Sequence, residues 1–216
     1  MEKKEYTLSL LLAAMLAGCG DNPRQAVNRT NPNGHPGNTD TLPYAVKADS
    51  LRHIELQRLS AIAYKDIRFG ENGTTVRRKI GYFETIGRYK YAVGTQYMRG
   101  KRELYSISFA TYPYKSASYY DTDVRDQWQN LVEVISAKYG SQIGRVFPSF
   151  FEMKAGRVIW THTWYIGAKE IAVGVAEREA EYYALLGITD QRRYARLVAE
   201  RSAKETESVN KSSESF

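Results

Sequence analysis

Apolar and polar positions alternate with a period of two along several stretches of the chain, which is typical of β-strands that bury one face. Residues 88–98 and 103–111 show this alternation most clearly. The side chains expected to share a face in these two strands are Tyr89, Tyr91, Val93, Thr95 and Tyr97, and then Tyr105, Ile107 and Phe109. Residues 62–70 and 75–85, joined by a turn at 71–73, predict a hairpin before them. Four sequential strands with short connections favour an antiparallel meander.

Strand patterns return in the second half of the chain. Residues 158–167 alternate, and their spacing places Val158, Trp160, His162, Trp164 and Ile166 on one face of the predicted strand. Residues 171–179 and 180–188 predict either a closing hairpin or a strand that continues into a helix.

Helical periodicity is strongest over residues 122–139, where one stripe of apolar side chains precedes Gly140. Thr122 or Asp121 is the expected N-cap. A second helix is predicted over residues 189–203, while residues 48–60 fit either a helix or the start of a strand. The pattern as a whole predicts an α+β domain with an antiparallel sheet of about six to seven strands. The helix at about 122–139 and the C-terminal helix pack on this sheet.

The most apolar run of the chain lies at its N-terminus, over residues 8–18. About a dozen uncharged residues fall short of the roughly 18 that a membrane-spanning helix needs. Lys3 and Lys4 precede the run and small residues end it, so the layout favours a secretory signal. A buried helix of the fold is the alternative.

Leu16-Ala17-Gly18-Cys19 ends this run and resembles the lipobox of bacterial membrane lipoproteins. The resemblance implies that Cys19 receives a diacylglycerol thioether, that signal peptidase II cleaves before it, and that its new amine is a target for acylation. Residues 1–18 are then the signal peptide, and the acyl chains hold the protein on its membrane. Gly20, where an enterobacterial inner-membrane retention signal has aspartate, favours the outer membrane, while Asp21 at the next position leaves the inner membrane as an alternative.

Composition changes after Cys19 and divides the rest of the chain. Residues 19–47 hold four of the six prolines and few large apolar residues, which predicts a flexible tether. A single α+β domain is expected over 48–203, and a disordered tail over 204–216. Cys19 is the sole cysteine, so its lipidation leaves no thiol for a disulfide, a metal site or catalysis.

Charge and aromatic content point to binding surfaces rather than to chemistry. The net charge is +7, and 17 tyrosines accompany three tryptophans. A basic surface favours anionic lipids or polymers, whereas nucleic acid is not expected as a ligand because an exported, membrane-tethered protein seldom meets it. The candidate ligand-binding residues are Trp160, His162, Trp164, Tyr89, Tyr91 and Tyr97. The candidate anion-contacting residues are Arg77, Arg78, Lys79, Arg99, Lys101 and Arg102. Both groups also have a purely structural explanation, as core side chains and as charged strand edges.

Sequence signatures of catalysis are missing. There is no G-x-S-x-G, H-E-x-x-H, phosphate loop or dinucleotide fingerprint, and no catalytic residue, metal site or cofactor is predicted. The favoured hypothesis is a lipid-anchored, non-catalytic envelope lipoprotein that binds a protein partner or an envelope polymer. The alternative is an envelope hydrolase or carbohydrate-binding accessory that uses the Trp160, His162 and Trp164 face.

Overall fold

A computed structural model of the protein describes residues 53–98, 100, 102–114 and 117–213. The strands are β1 Ile62–Tyr64, β2 Ile67–Arg68, β3 Phe83–Ile86, β4 Tyr89–Tyr97, β5 Leu104–Ala110, β6 Val158–Ile166, β7 Lys169–Arg178 and β8 Glu181–Asp190. The helices are α1 (53–61), α2 Gly73–Lys79, α3 Arg125–Tyr139 and α4 Gln191–Ser213.

Two antiparallel meanders build the main sheet, whose strand order is β3-β4-β5-β8-β7-β6. They meet where β5 pairs with β8, and every pairing in the sheet is antiparallel. The β7–β8 connection is a tight hairpin in which Glu179 and Ala180 both adopt positive φ. The predictions of an α+β fold and of an antiparallel sheet are confirmed, and the hairpin is the correct alternative for residues 171–188.

Helix α3 covers one face of this sheet with the apolar stripe expected from the sequence. Leu131 and Ile135 are buried against side chains of β4, β5, β7 and β8. The hairpin β1–β2 and helix α2 extend the same core through Ile67 and Val76, both only 1% exposed. At the end of α3, Gly140 has φ 89° and its N–H bonds to the Ser136 carbonyl, so the helix stops where expected.

The opposite face of the sheet contacts helix α4 near that helix's N-terminus. Tyr194 and the buried Leu197 pack against Met98 and Tyr105. From Val198 onward the described side chains of α4 are exposed. No helix in the described part of the chain is both long and apolar enough to cross a membrane.

The predicted strand over 75–85 is wrong, because its first half is helix α2. The Asn72 side chain accepts a hydrogen bond from the Thr75 N–H at 2.9 Å and caps this helix. Residues 62–70 likewise do not join the main sheet as predicted. They fold into the separate hairpin β1–β2, whose turn includes Lys65 at positive φ.

Helix α3 starts differently from the prediction, since no side chain caps it at Val124. A 3₁₀ turn, Ala117–Tyr119, and a π-helical turn, Tyr120–Val124, lead into it. Asp121 and Thr122 therefore lie inside helical turns rather than at the N-cap, and the Thr122 hydroxyl hydrogen-bonds Asp123 instead.

Helix α4 continues to Ser213, so the predicted end at 203 and the disordered tail from 204 are wrong over residues 204–213. This segment contains no glycine or proline, and its Lys and Glu residues are good helix formers. The predicted signal peptide, the tether, Cys19, Arg99 and Lys101 lie outside the described residues, as do positions 214–216.

Candidate functional site

Strand β6 contains a bulge that separates the three residues of the predicted tryptophan–histidine face. The register with β7 shifts between Trp160 and His162, so that Trp160 lies opposite Gly174 and His162 lies opposite Val173. An extra residue in one strand reverses the alternation of the side chains that follow it. Trp160 therefore lies on one face of the sheet, and His162 and Trp164 lie on the other. The prediction of a single face is wrong.

His162 and Trp164 pack beneath helix α3. The Trp164 side chain is 1% exposed, and its indole N–H donates to the Gly140 carbonyl at 2.8 Å. The His162 ring stacks on Trp164 at 5.9 Å between ring centres and tilts against Trp128 at 5.7 Å. Burial lowers the pKa of His162, so the imidazole is neutral at pH 7.

Trp160 fills space above glycines on the opposite face of the sheet. A β-carbon on Gly187 would lie 3.2 Å from the Trp160 ring, and one on Gly174 would lie 3.0 Å from it. Both glycines therefore allow the indole to approach the backbone closely. With Trp160 on one face and Trp164 buried on the other, the two indoles do not form a joint platform for a sugar ring.

The predicted tyrosine ladder does share one face, but its members differ in exposure. Tyr91 is fully buried, its hydroxyl accepts a hydrogen bond from the Asn130 amide at 3.0 Å, and burial raises its pKa to about 12. Tyr89 is partly buried against the core. Tyr97, at the end of β4, is the member of the ladder that borders a cavity.

The predicted basic residues also differ in their surroundings, since one is bonded within the fold and the other described ones are exposed. Lys79 donates to Glu71 Oε1 at 2.9 Å and to the Asp66 carbonyl at 3.0 Å, so it is engaged within the fold. Arg102 is exposed and has positive φ. Arg77 and Arg78 are exposed on helix α2, and the Arg77 guanidinium lies 4.6 Å from the centre of the Tyr82 ring.

Arg77, Arg78 and Tyr97 meet at an open cavity of about 650 Å³ between α2 and β4. Gly73, Thr74 and Thr95 complete its lining. Among the described residues, no carboxylate forms an ion pair with Arg77 or Arg78. The cavity thus combines two unneutralised guanidinium groups with the hydroxyl-bearing residues Thr74, Thr95 and Tyr97.

Local folding explains this meeting of residues. The Asn72 cap starts α2 at Gly73, which lies in van der Waals range of the Tyr97 ring, so the first turn of the helix is next to the end of β4. Val76 is buried, and Arg77 and Arg78 follow it outside the core. Guanidinium groups and hydroxyls are the donors that bind phosphate and carboxylate groups. Within the described residues, no three His, Cys, Asp or Glu side chains lie close enough to hold a metal ion.

The part that Thr74 plays in this cavity was missed from the sequence, and so was a second cavity elsewhere in the domain. Thr74 lies in the first turn of helix α2, whose residues from position 75 onward were predicted as a strand. A second cavity, of about 610 Å³, includes His53, Arg192, Arg193 and Arg196 in its lining. Its charge is partly neutralised, because Asp190 also lines it and forms an ion pair with Arg193.

Comparison of the chain with models of known protein families, with curated proteins and with solved structures gave no significant match. Fold and site geometry together define the protein as an α+β domain with a basic, hydroxyl-lined cavity between α2 and the end of β4.

Proposed function

We propose that the protein is a lipid-anchored lipoprotein of the bacterial cell envelope whose α+β domain binds an acidic ligand without catalysis. The cavity lined by Arg77, Arg78 and Tyr97 carries the binding part of the proposal. The lipobox Leu16-Ala17-Gly18-Cys19 supports the anchor, because a thiol after small residues at the end of a leucine-rich segment is what lipoprotein processing requires. Gly20 favours the outer membrane as the location.

The ligand in this proposal is an anionic envelope polymer that carries phosphate or carboxylate groups. Two neighbouring arginines suit such groups because a guanidinium presents several N–H donors in a planar fork. The Tyr97 and threonine hydroxyls add donors that do not depend on charge. An open cavity admits an internal segment of a long polymer, whereas an enclosed one would require a chain end or a small molecule.

The alternative of a hydrolase or carbohydrate-binding accessory loses its structural support. It requires Trp160, His162 and Trp164 on one exposed face, and the bulge in β6 separates them. His162 has Thr161 as its hydrogen-bonding neighbour at 3.2 Å and contacts two indole rings.

A binding titration with two anionic probes and one neutral probe tests the binding part. Polygalacturonate supplies carboxylates, polyphosphate supplies phosphates, and dextran is the neutral control. We expect the full chain to bind at least one anionic probe and to ignore dextran. The double variant Arg77→Gln/Arg78→Gln should bind about tenfold more weakly, since two solvent-exposed ionic contacts contribute about 0.7 kcal/mol each. Tyr97→Phe should weaken binding about threefold through loss of one hydroxyl.

Arg192→Gln/Arg196→Gln is the matched control, because it removes the same charge from the second cavity. Equal weakening by both double variants would show attraction by net charge alone and would contradict the proposed site. Binding of neither anionic probe would contradict the proposed ligand class.

A further inference from the structure

The loop between α3 and β6, residues 141–157, presents apolar side chains to solvent. Ile143 and Phe151 are essentially fully exposed, and Val146 is 83% exposed. Scattered apolar residues are common on protein surfaces, but three almost fully exposed apolar side chains within nine positions are an unusual concentration.

This exposure is fixed by the base of the loop, which is packed into the domain. Phe147 and Phe150 lie 5.0 and 5.6 Å from the Tyr120 ring, and the Tyr120 hydroxyl donates to the Pro148 carbonyl at 3.0 Å. The Arg145 N–H donates to the Thr161 carbonyl of β6 at 2.8 Å. The loop therefore holds Ile143, Val146 and Phe151 outward while Phe147 and Phe150, at its base, are partly buried against the domain.

Basic residues accompany the exposed apolar ones. Residues 138–157 contain four basic side chains, Lys138, Arg145, Lys154 and Arg157, and one acidic side chain, Glu152. The four basic residues and Glu152 are exposed. Glu152 forms an ion pair with Arg145, which links the two arms of the loop. The segment thus carries a net charge of +3, from four positive charges minus one negative.

We propose that the 141–157 loop inserts into the interface of an anionic lipid bilayer. Ile143, Val146 and Phe151 enter the boundary between headgroups and acyl chains, and the exposed cations lie at the level of the anionic headgroups. Apolar burial and attraction of basic side chains to anionic lipids both favour this arrangement. The inference goes beyond the acyl anchor and the Arg77–Arg78 cavity and depends on neither. It gives the folded domain a membrane contact of its own.

The sole cysteine makes a site-specific test possible. In a Cys19→Ser background, a new cysteine placed by Val146→Cys carries an environment-sensitive fluorophore. A second protein with Tyr112→Cys carries the same label at a site that is 79% exposed and distant in sequence. Vesicles of phosphatidylcholine with about one third phosphatidylglycerol are the anionic probe, and pure phosphatidylcholine vesicles are the neutral one.

We expect a blue shift and a several-fold rise in fluorescence at position 146 with anionic vesicles, a smaller change with neutral vesicles, and none at position 112. Adding Ile143→Ser/Phe151→Ser should weaken the vesicle response at position 146 about tenfold. Phe83→Ser/Tyr112→Ser, which removes two exposed aromatic side chains elsewhere, should leave it unchanged. The Cys19→Ser background removes the acyl anchor from all these proteins, so failure of this test is distinct from failure of the anchor.

Three results would overturn the inference. The first is no change at position 146 with anionic vesicles, and the second is an equal change at position 112. The third is a change at position 146 that follows protein concentration without vesicles, which would assign the loop to contact with a second copy of the chain.

Discussion

Lys169 is a buried amine whose charge the fold does not neutralise, and this predicts an unusual dependence of stability on pH. Its side chain is 2% exposed, and its ammonium donates to the Leu59 carbonyl at 2.8 Å and to the Ile62 carbonyl at 3.2 Å. No carboxylate of the described residues forms an ion pair with it. Burial, with a smaller contribution from Lys138, lowers the pKa of Lys169 to about 8.

The magnitude follows from the difference between the folded and unfolded pKa values. The folded value of about 8 lies below the ordinary 10.5. The unfolded chain therefore holds this proton over the range in which the folded chain releases it. The free energy of unfolding consequently rises with pH between the folded and the unfolded pKa of Lys169. The gain is complete above the unfolded pKa and is lost as the pH falls through the folded pKa. Integrated from pH 7 to about pH 10, the gain is about 2.5 kcal/mol.

Comparison with Lys169→Met isolates this effect, because the other titrating groups remain in both proteins. Urea unfolding at several pH values gives the free energy of unfolding of each. We expect the stability of the parent chain relative to Lys169→Met to rise by about 2.5 kcal/mol between pH 7 and about pH 10. A difference that stays constant with pH would refute the claim that Lys169 is charged and buried at neutral pH.

Two other substitutions test the packing of α3 on the sheet, again by urea unfolding. Asn130→Ala should lower the free energy of unfolding by about 3 kcal/mol. The buried amide donates to the Ile86 carbonyl and the Tyr91 hydroxyl and accepts from the Arg88 N–H. A loss below about 1 kcal/mol would show that these contacts do not form. Trp128→Ala should also lower the free energy of unfolding by about 3 kcal/mol, at the lower end of the range for buried aromatic residues, because the ring is only partly buried. A variant that unfolds like the parent would show that the apolar stripe of α3 does not pack on the sheet.

Strands with regular alternation could be predicted from the sequence because their pattern is local. β4, β7 and β8 keep one register along nearly their whole length, so spacing alone places their side chains. The predicted shared face of Tyr105, Ile107 and Phe109 in β5 is wrong at Tyr105, because a bulge there turns this side chain to the face that contacts α4. The strong helix was predictable for the same reason, since Leu131 and Ile135 repeat at helical spacing and end at Gly140.

The bulge in β6 could not be predicted from alternation, because residues distant in sequence stabilise it. The Trp128 indole N–H donates to the Thr161 hydroxyl at 2.8 Å, and that hydroxyl donates to the Val173 carbonyl at 3.0 Å. These bonds hold Thr161 inward between Trp160 and His162. A period of two assumes that no residue is inserted, so the predicted single face failed at this point.

Helix α2 was missed because Asn72-Gly73 suits two different structures. The pair is typical of a hairpin turn, and asparagine is also a favoured helix N-cap. Capping prevails here, and Val76 supplies the apolar contact that holds the short helix. The candidate site depended on this choice, since only the helix brings Arg77 and Arg78 beside Tyr97.

Metabolic labelling with palmitate, combined with the mass of the mature protein, tests the central claim most directly. The account predicts that the parent chain incorporates palmitate, fractionates with membranes, and begins at Cys19 once residues 1–18 are removed. Cys19→Ser should lose the label and accumulate as the uncleaved precursor, because the serine hydroxyl does not replace the thiol nucleophile. Normal labelling of Cys19→Ser, or a parent chain that carries no lipid, would contradict the assignment of this protein as an envelope lipoprotein.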